Sequence, residues 1–246
     1  MEFASFPYLT AILLSCVIGL LIILFLPDEK KQAIKQVSAL FSGLTLVLSL
    51  IVFCTYDTGR AGLQFAERIP WVPSLGISYF NAADGFSLPM ILLTGIVFFT
   101  GVLTMRELEH RVKEFYALYF LLVTGVFGLF MSFDLFFIFI WYDVSLFPMY
   151  LLIAVWGSTR KEYGAMKLTL YLLAGSALIL PAIVYLHVAA GGTSFDITTL
   201  MRPGTFSAFQ QKLAFLLLFI GFGILAAVWP FHTWSPVGHV AAPTAV

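Results

Sequence analysis

Charge is scarce in this sequence. Thirteen Lys and Arg and thirteen Asp and Glu make up 11% of 246 residues, and the formal net charge is zero. A soluble domain carries about 25% charged residues, so this chain cannot cover an ordinary water-facing surface. Zero net charge without a concentrated basic face also gives nucleic acid nothing to bind. Cysteine is nearly absent. Cys16 and Cys54 both fall in apolar helical runs and read as small core residues, which excludes a disulfide framework or a cysteine-ligated cluster. There is no Gly-rich nucleotide loop and no histidine pair at mid-depth on one helix that could hold a haem. Redox chemistry is therefore not expected in this chain. The first five residues lack the basic region of a cleaved signal, and the apolar run behind them is long enough to span a membrane. No low-complexity segment and no clear internal repeat is present.

What fills the sequence instead is apolar: 61% hydrophobic residues, 26 Phe, and a mean hydropathy of +0.98. A helix crossing a bilayer needs roughly 20 apolar residues. Such runs lie at about 7–27, 37–56, 84–104, 114–132, 135–156 and 164–190, with a seventh from near 212 that breaks at about 229–236. The expected fold is an all-α polytopic membrane protein with about seven transmembrane helices, helix 7 broken. Two parts are expected: 1–112, with three helices and an outer loop at 57–83, and 113–246, with helices 4–7 and the start of an eighth. The loop contains Pro70, Trp71, Pro73, Gly76 and an Ile-Ser-Tyr alternation, the composition of a short hairpin or of an interfacial loop anchored by Trp71. It ends at Asp84 and Ser87, which read as a helix start with Asp84 as N-cap.

The candidate chemistry centres on Asp143. From Leu135 onward it is the only formal charge before Arg160, and at 1.5 Å per residue it lies roughly 12 Å inside the helix. A charge at that depth costs roughly 2.5–3.5 kcal/mol or more. Either the residue is a neutral acid hydrogen-bonded to a neighbouring helix, or it handles protons and needs a cation nearby. Asp134 is nine residues earlier, half a turn away in projection, so the two carboxylates do not share a face. With Ser132 it opens helix 5, which favours an N-cap and leaves room for an entry-side role. Lys167 lies in the first turns of helix 6, where it either snorkels to the headgroups or holds a polar axis between helices 5 and 6. Its depth makes a direct pair with Asp143 unfavourable. His187 reads as interfacial, and Pro181 is expected to kink helix 6.

The second dense stretch is W-P-F-H-T-W-S-P-V-G-H-V-A-A-P-T-A-V, 229–246. Pro230 and Pro236 break a helix in an apolar setting, which is tolerated only where protein or water satisfies the backbone. His232 and His239 flank the break. They either relay protons, since His titrates near neutrality, or hydrogen-bond backbone groups that the prolines free. Two histidines without a nearby Cys or carboxylate make only a weak metal site.

The runs W-Y-D-V-S-L-F-P-M-Y-L-L-I-A-V-W-G (141–157) and Y-G-A-M-K-L-T-L-Y-L-L-A-G-S (163–176), with the break motif, resemble the antiporter-like subunits of complex I, closest to subunit M. The Asp-Gly-Phe-Ser-Leu-Pro run at 84–89 has a counterpart there too. The resemblance implies a membrane-arm subunit of a complex I-type NADH-quinone oxidoreductase, coupled to quinone reduction carried out elsewhere. NADH, FMN, iron–sulfur clusters and quinone would belong to partner subunits, and other membrane-arm subunits and the lipid bilayer would be the neighbours. It implies a proton relay through Asp143, Lys167, His232 and His239, with Asp134 as a further aspartate of the pattern. The same motifs occur in multisubunit cation/proton antiporters and membrane-bound hydrogenases. A structural subunit that moves no protons is a third reading.

Departures from the pattern bear on that choice. Asp143 stands where the family has glutamate, Leu225 where it has a lysine, Val237 and Gly238 where it has an Asp-Ala pair, and Ala241 where many members have glutamate. The family has two inverted five-helix repeats; the first would begin at about helix 4 here, and the second is not in these 246 residues.

Charge placement gives an expected orientation in a bacterial inner membrane or its equivalent. The loops after helices 1, 3 and 5 and the adjoining helix ends carry nine Lys and Arg, against four (Arg60, Arg68, Arg202 and Lys212) on the other side. The positive-inside rule then places the N-terminus outside. In a cysteine-free background, single cysteines at Gln36 and Ser74 should be told apart by an impermeant thiol reagent on intact cells. Labelling at 74 and not at 36 is expected, and the reverse would overturn the orientation.

Overall fold

The computed structural model describes residues 6–246; the signal-peptide reading of residues 1–5 lies outside them. Seven helices are long and apolar enough to cross a membrane: α1 (Tyr8–Phe25), α2 (Lys31–Thr55), α3 (Ser87–Thr104), α4 (Val112–Met131), α5 (Leu135–Trp156), α6 (Lys161–Ala189) and α8 (Ala208–Leu225). Between α2 and α3 runs an antiparallel hairpin, β1 (Gln64–Val72) and β2 (Ile77–Ala83). Two short helices complete the chain: α7 (Ile197–Leu200) and α9 (Trp234–Ala241). The chain is an integral multi-pass membrane protein.

α4 is the axis of the bundle. Two-thirds of its residues (67%) are buried inside the protein, against 22–39% in the other spans. Its Phe115, Tyr116, Tyr119, Phe120 and Phe127 pack with Phe98 of α3 and with Leu9, Ile12 and Cys16 of α1. On its other side α4 meets α5 through glycines. A Cβ on Gly125 would lie 2.8 Å from the Trp141 carbonyl oxygen, and one on Gly128 would lie 2.2 Å from the Trp141 ring. Small residues allow this approach in an apolar medium, and an added methyl against backbone costs about 1–3 kcal/mol by overpacking. α6 and α8 meet the same way, at Gly175 and Gly221.

One end of the bundle is tied by the hairpin, and a side chain from it completes the start of α1, which local sequence leaves open. α1 begins after Pro7, which offers no side-chain cap. Glu67 of β1 accepts instead from the Leu9 and Thr10 N–H groups at 2.9 and 3.0 Å. Asp134 caps α5, accepting from the Phe136 and Phe137 N–H groups, while its other oxygen accepts from Ser78 N of β2 at 3.0 Å. Asp196 caps α7 and pairs with Arg68 of β1 at 3.3 Å. Gly76, at φ 68°, ends the hairpin turn where a side chain would strike the Thr193 carbonyl, 2.1 Å from an added Cβ. The N-terminal end, the hairpin and the 190–207 connection therefore share one face, as the alternation of seven spans requires.

Several expectations need correction. α2 starts at Lys31 rather than near 37, because Lys and Gln are good helix formers and the helix projects past its apolar run. The last span starts earlier than 212, at Ala208, where Ser207 and Gln210 form a capping box. It also ends earlier than 229, at Leu225. Pro230 explains this, since a proline ring clashes with the carbonyl four residues before it, here Ala226. Pro236 breaks nothing; it lies in the first turn of α9, where a missing N–H is harmless. Asp84 accepts from the Phe86 and Ser87 N–H groups, but helical residues begin only at Ser87. Cys16 is a core residue, whereas Cys54 is exposed on the outward surface of the chain.

Candidate functional site

α5 and α6 form an antiparallel hairpin across the connection 157–160. Residues at about the same distance from that turn meet at similar depth, and Asp143 meets Ser176: the serine hydroxyl donates to Asp143 Oδ1 at 2.7 Å. Ser176 is buried, and its neighbour Gly175 is the point where α6 meets α8. The carboxyl group is therefore held at the crossing of three helices. No Lys or Arg forms an ion pair with it among the described residues.

Leu225 is in the same place. Its Cδ1 would lie 2.2 Å from a Cβ on Gly175, one residue from the serine that holds Asp143. The α8 position that the resemblance assigns to a lysine thus does face the α5–α6 crossing, and here it presents a methyl group.

Tyr142 and Leu225 together border two cavities. The smaller, about 230 Å³, is walled also by Met149 of α5, Leu168 and Leu172 of α6, and Trp234 and His239 of α9. The larger, about 510 Å³, lies toward Phe130, Phe139, Ile179 and Phe222. The Tyr142 hydroxyl is buried without a protein hydrogen-bond partner, as is the Trp141 indole N–H. Each such group costs about 1–3 kcal/mol if nothing satisfies it.

The other expected residues are placed separately. Lys167 is partly buried, with its Nζ 5.9 Å from the centre of the Tyr163 ring, one turn toward the start of α6. Ser176 is nine residues further on, about 13 Å along the axis, so Lys167 and Asp143 are not brought together and the lysine points toward the headgroup end. Asp134 is fully buried and is the N-cap described above. His187 stacks on Phe195 with ring centroids 3.9 Å apart near the C-terminal end of α6. His232 and His239 are exposed on the chain, and neither ring hydrogen-bonds backbone freed by the break. That role falls to Trp234, whose indole N–H donates to the Ile224 carbonyl at 2.9 Å. Thr233 ties the break to Tyr171 of α6 at 3.1 Å.

The departures at 237–241 also find a physical setting. α9 lies on the first half of α6 with almost no space between them. A Cβ on Gly164 would lie 2.4 Å from that of Ala241, and one on Gly238 would lie 2.7 Å from Leu168. Ser158 N and Oγ bond the Ala241 and Val240 carbonyls at 2.9 and 2.8 Å. Where the family pattern has carboxylates, this interface is closed by small residues. Among the described residues, no group of three or more His, Cys, Asp or Glu forms a metal-binding cluster.

The bundle of seven spans, with a carboxyl group at a helix crossing and a broken last helix, is similar to antiporter-like membrane subunits. The family described as NADH:quinone oxidoreductase/Mrp antiporter, TM, matches residues 132–246. Over 98% of its length the chain is 34% identical to NAD(P)H-quinone oxidoreductase chain 4 3 of Picosynechococcus sp., of which it spans 44%. It is 27% identical to a chain of respiratory complex I from Thermus thermophilus, with a TM-score of 0.77, covering 94% of this chain and 46% of that one. A chain of the Mrp complex from Dietzia sp. shares the fold at 17% identity and a TM-score of 0.73, covering 96% of this chain and 26% of that one. The chain thus spans less than half the length of these relatives.

Burial pushes the Asp134 carboxyl above the usual aspartate range, the three backbone N–H bonds oppose the rise, and nearby Asp196 adds to it. A raised value in the folded state means that the folded protein holds the proton longer, so stability falls as pH climbs from the ordinary value, about 3.9, through the raised one. The thermal midpoint of the purified protein should fall across that window. Asp134→Asn, which keeps the cap, should flatten the slope, and Asp134→Ala should cost about 1 kcal/mol at every pH. Identical slopes in wild type and Asp134→Asn would contradict the assignment.

Proposed function

We propose that this chain is a membrane-arm subunit of a complex I-type NADH-quinone oxidoreductase and that Asp143 is the proton-handling group of its α5–α6 hairpin. The observation that carries this reading is a carboxyl group held deep in α5 by Ser176, at a three-helix crossing, with its chain neighbour Tyr142 bordering a cavity that reaches α9. His239 on the smaller cavity and Lys167 nearer the basic face are its proposed relay partners, with His232 beside the break and Asp134 at the opposite mouth. The relatives whose names specify NAD(P)H-quinone oxidoreductase support the choice of assembly. Electron carriers, namely NADH, FMN, iron–sulfur clusters and quinone, are assigned to partner subunits, and other membrane-arm subunits to the lateral surfaces. The basic-residue asymmetry supports an N-terminus on the outer side of a bacterial inner membrane or its equivalent.

One observation favours a second reading, a structural subunit that moves no protons: Leu225 puts a methyl group where a cation would face Asp143, and 221–228 contains no charge. The two readings separate in inverted membrane vesicles from the native host. With the assembly shown intact by native electrophoresis, Asp143→Asn should lower dye quenching per NADH oxidised. An unchanged ratio would leave the structural reading standing and remove the first.

A further inference from the structure

The connection between α6 and α8 walls a cavity of about 460 Å³ that the proton-handling reading does not use. It lies where three spans end: Leu135 opens α5, Leu186 is in the last turn of α6, and Gln211 is in the first turn of α8. Helix ends are where the hydrocarbon of a bilayer gives way to its headgroups. Leu135, Leu186 and Leu200 form the apolar part of the wall, and Arg202, Thr205 and Gln211 the polar part. Two of these polar side chains are tied to the wall itself. The Thr205 hydroxyl donates to the Arg202 carbonyl at 2.7 Å, and Gln211 Nε2 donates to the Phe206 carbonyl at 2.9 Å. The Arg202 guanidinium has no ion pair and no hydrogen bond among the described residues. No carboxylate lines the cavity. The two that adjoin its walls along the chain, Asp134 and Asp196, are engaged with the hairpin through Ser78 and Arg68. Of the four basic residues on this face, Arg60 and Arg68 pair with Asp57 and Asp196, whereas Arg202 and Lys212, the neighbour of Gln211, have no acid beside them among the described residues.

We propose that this cavity binds one anionic glycerophospholipid, with its phosphate on Arg202 and the glycerol end of an acyl chain against Leu135, Leu186 and Leu200. The proposal goes beyond the proton-handling reading and does not rest on it. Chemistry and depth together decide the occupant. A guanidinium presents a fork of donors that matches phosphate oxygens two at a time, and basic pockets between membrane helices take anionic headgroups. A soluble phosphate would gain nothing from the three leucines. A zwitterionic lipid would bring its own cation to a wall that already carries Arg202, with Lys212 one residue from Gln211 and no carboxylate to offset them. An anionic phospholipid satisfies both halves of the wall at the depth where its phosphate and its first methylenes already lie.

The test is native mass spectrometry of the full chain, titrated in detergent with phosphatidylglycerol. One molecule should be retained more tightly than all others, and more tightly than phosphatidylcholine. Arg202→Gln should weaken that binding by about tenfold or more, as loss of a hydrogen bond to a charged group does. Arg202→Lys should keep part of it, and Arg106→Gln, at an exposed arginine on the other end of the bundle, should leave it unchanged. Leu186→Trp, which fills the apolar wall and leaves the arginine in place, should weaken it too. Glycerol 3-phosphate, which has the phosphate but no acyl chain, should not displace the lipid. A phosphatidylglycerol with a diazirine on the first carbons of one acyl chain should label the 197–211 segment, in the purified chain and in membranes of the native host alike. Undiminished retention in Arg202→Gln would overturn the proposal, and so would equal retention of phosphatidylcholine, which means an unselective lipid belt. Displacement by glycerol 3-phosphate would overturn it in favour of a soluble phosphate ester. Labelling that disappears in the native membranes would overturn it in favour of a protein neighbour that fills the cavity.

Discussion

A carboxyl group inside a hydrocarbon layer has no water to bond to, so the protein itself must supply the partner at the same depth. Asp143 meets this condition through Ser176, and the bond sets demands on everything around it. α5 and α6 must be antiparallel neighbours joined by a short turn. α6 must bring Gly175 to α8, and α5 must come close enough to α4 to need Gly125 and Gly128 there. The close α4–α5 and α6–α8 contacts are grouped around this one polar point, whereas those of α9 lie toward the start of α6. They are made by small residues because helices in lipid gain by packing rather than by hydrophobic exclusion.

The same constraint governs the places where helices start and stop. Backbone groups at helix ends are orphaned, and here distant side chains satisfy several of them. Glu67 reaches from the hairpin to α1, Asp134 both caps α5 and binds β2, and Trp234 bonds the last turn of α8 across the break. The hairpin end is accordingly a network of carboxylates, two of them, Asp134 and Asp196, almost wholly buried. The opposite end has exposed ion pairs such as Lys31–Glu109 and Lys113–Asp28, which contribute little individually. The two faces of the bundle are thus built differently: one is a fixed polar cap, the other a solvated basic rim.

Much of this was legible in the sequence. The bounds 135–156 for α5 could be read because Asp134 and Gly157 punctuate an uninterrupted apolar run. The separation of Lys167 from Asp143 followed from spacing, while residue type favoured the N-cap at Asp134 and composition offered the hairpin as one of two forms of the 57–83 loop. Ser176 was missed, although counting outward from the α5–α6 turn sets Asp143 level with Ala174, and Ser176 is the one polar side chain within two residues of that position. The caps from Glu67 and Trp234 were not legible, because they join segments 58 and 10 residues apart through folded geometry. The histidines drew attention by residue type, whereas the group that satisfies the broken helix is a tryptophan inside the same motif.

The central claim is that Asp143 is held by Ser176 at the crossing of α5, α6 and α8. The most direct measurement is the infrared band of the Asp143 carboxyl, assigned by Asp143→Asn, in wild type and in Ser176→Ala. Removing a hydrogen bond to a carbonyl oxygen strengthens the C=O bond, so the band should move to higher frequency in Ser176→Ala and stay in place in a control such as Ser145→Ala. A band unmoved by Ser176→Ala would mean that the carboxyl group has another partner and that the crossing is not its site.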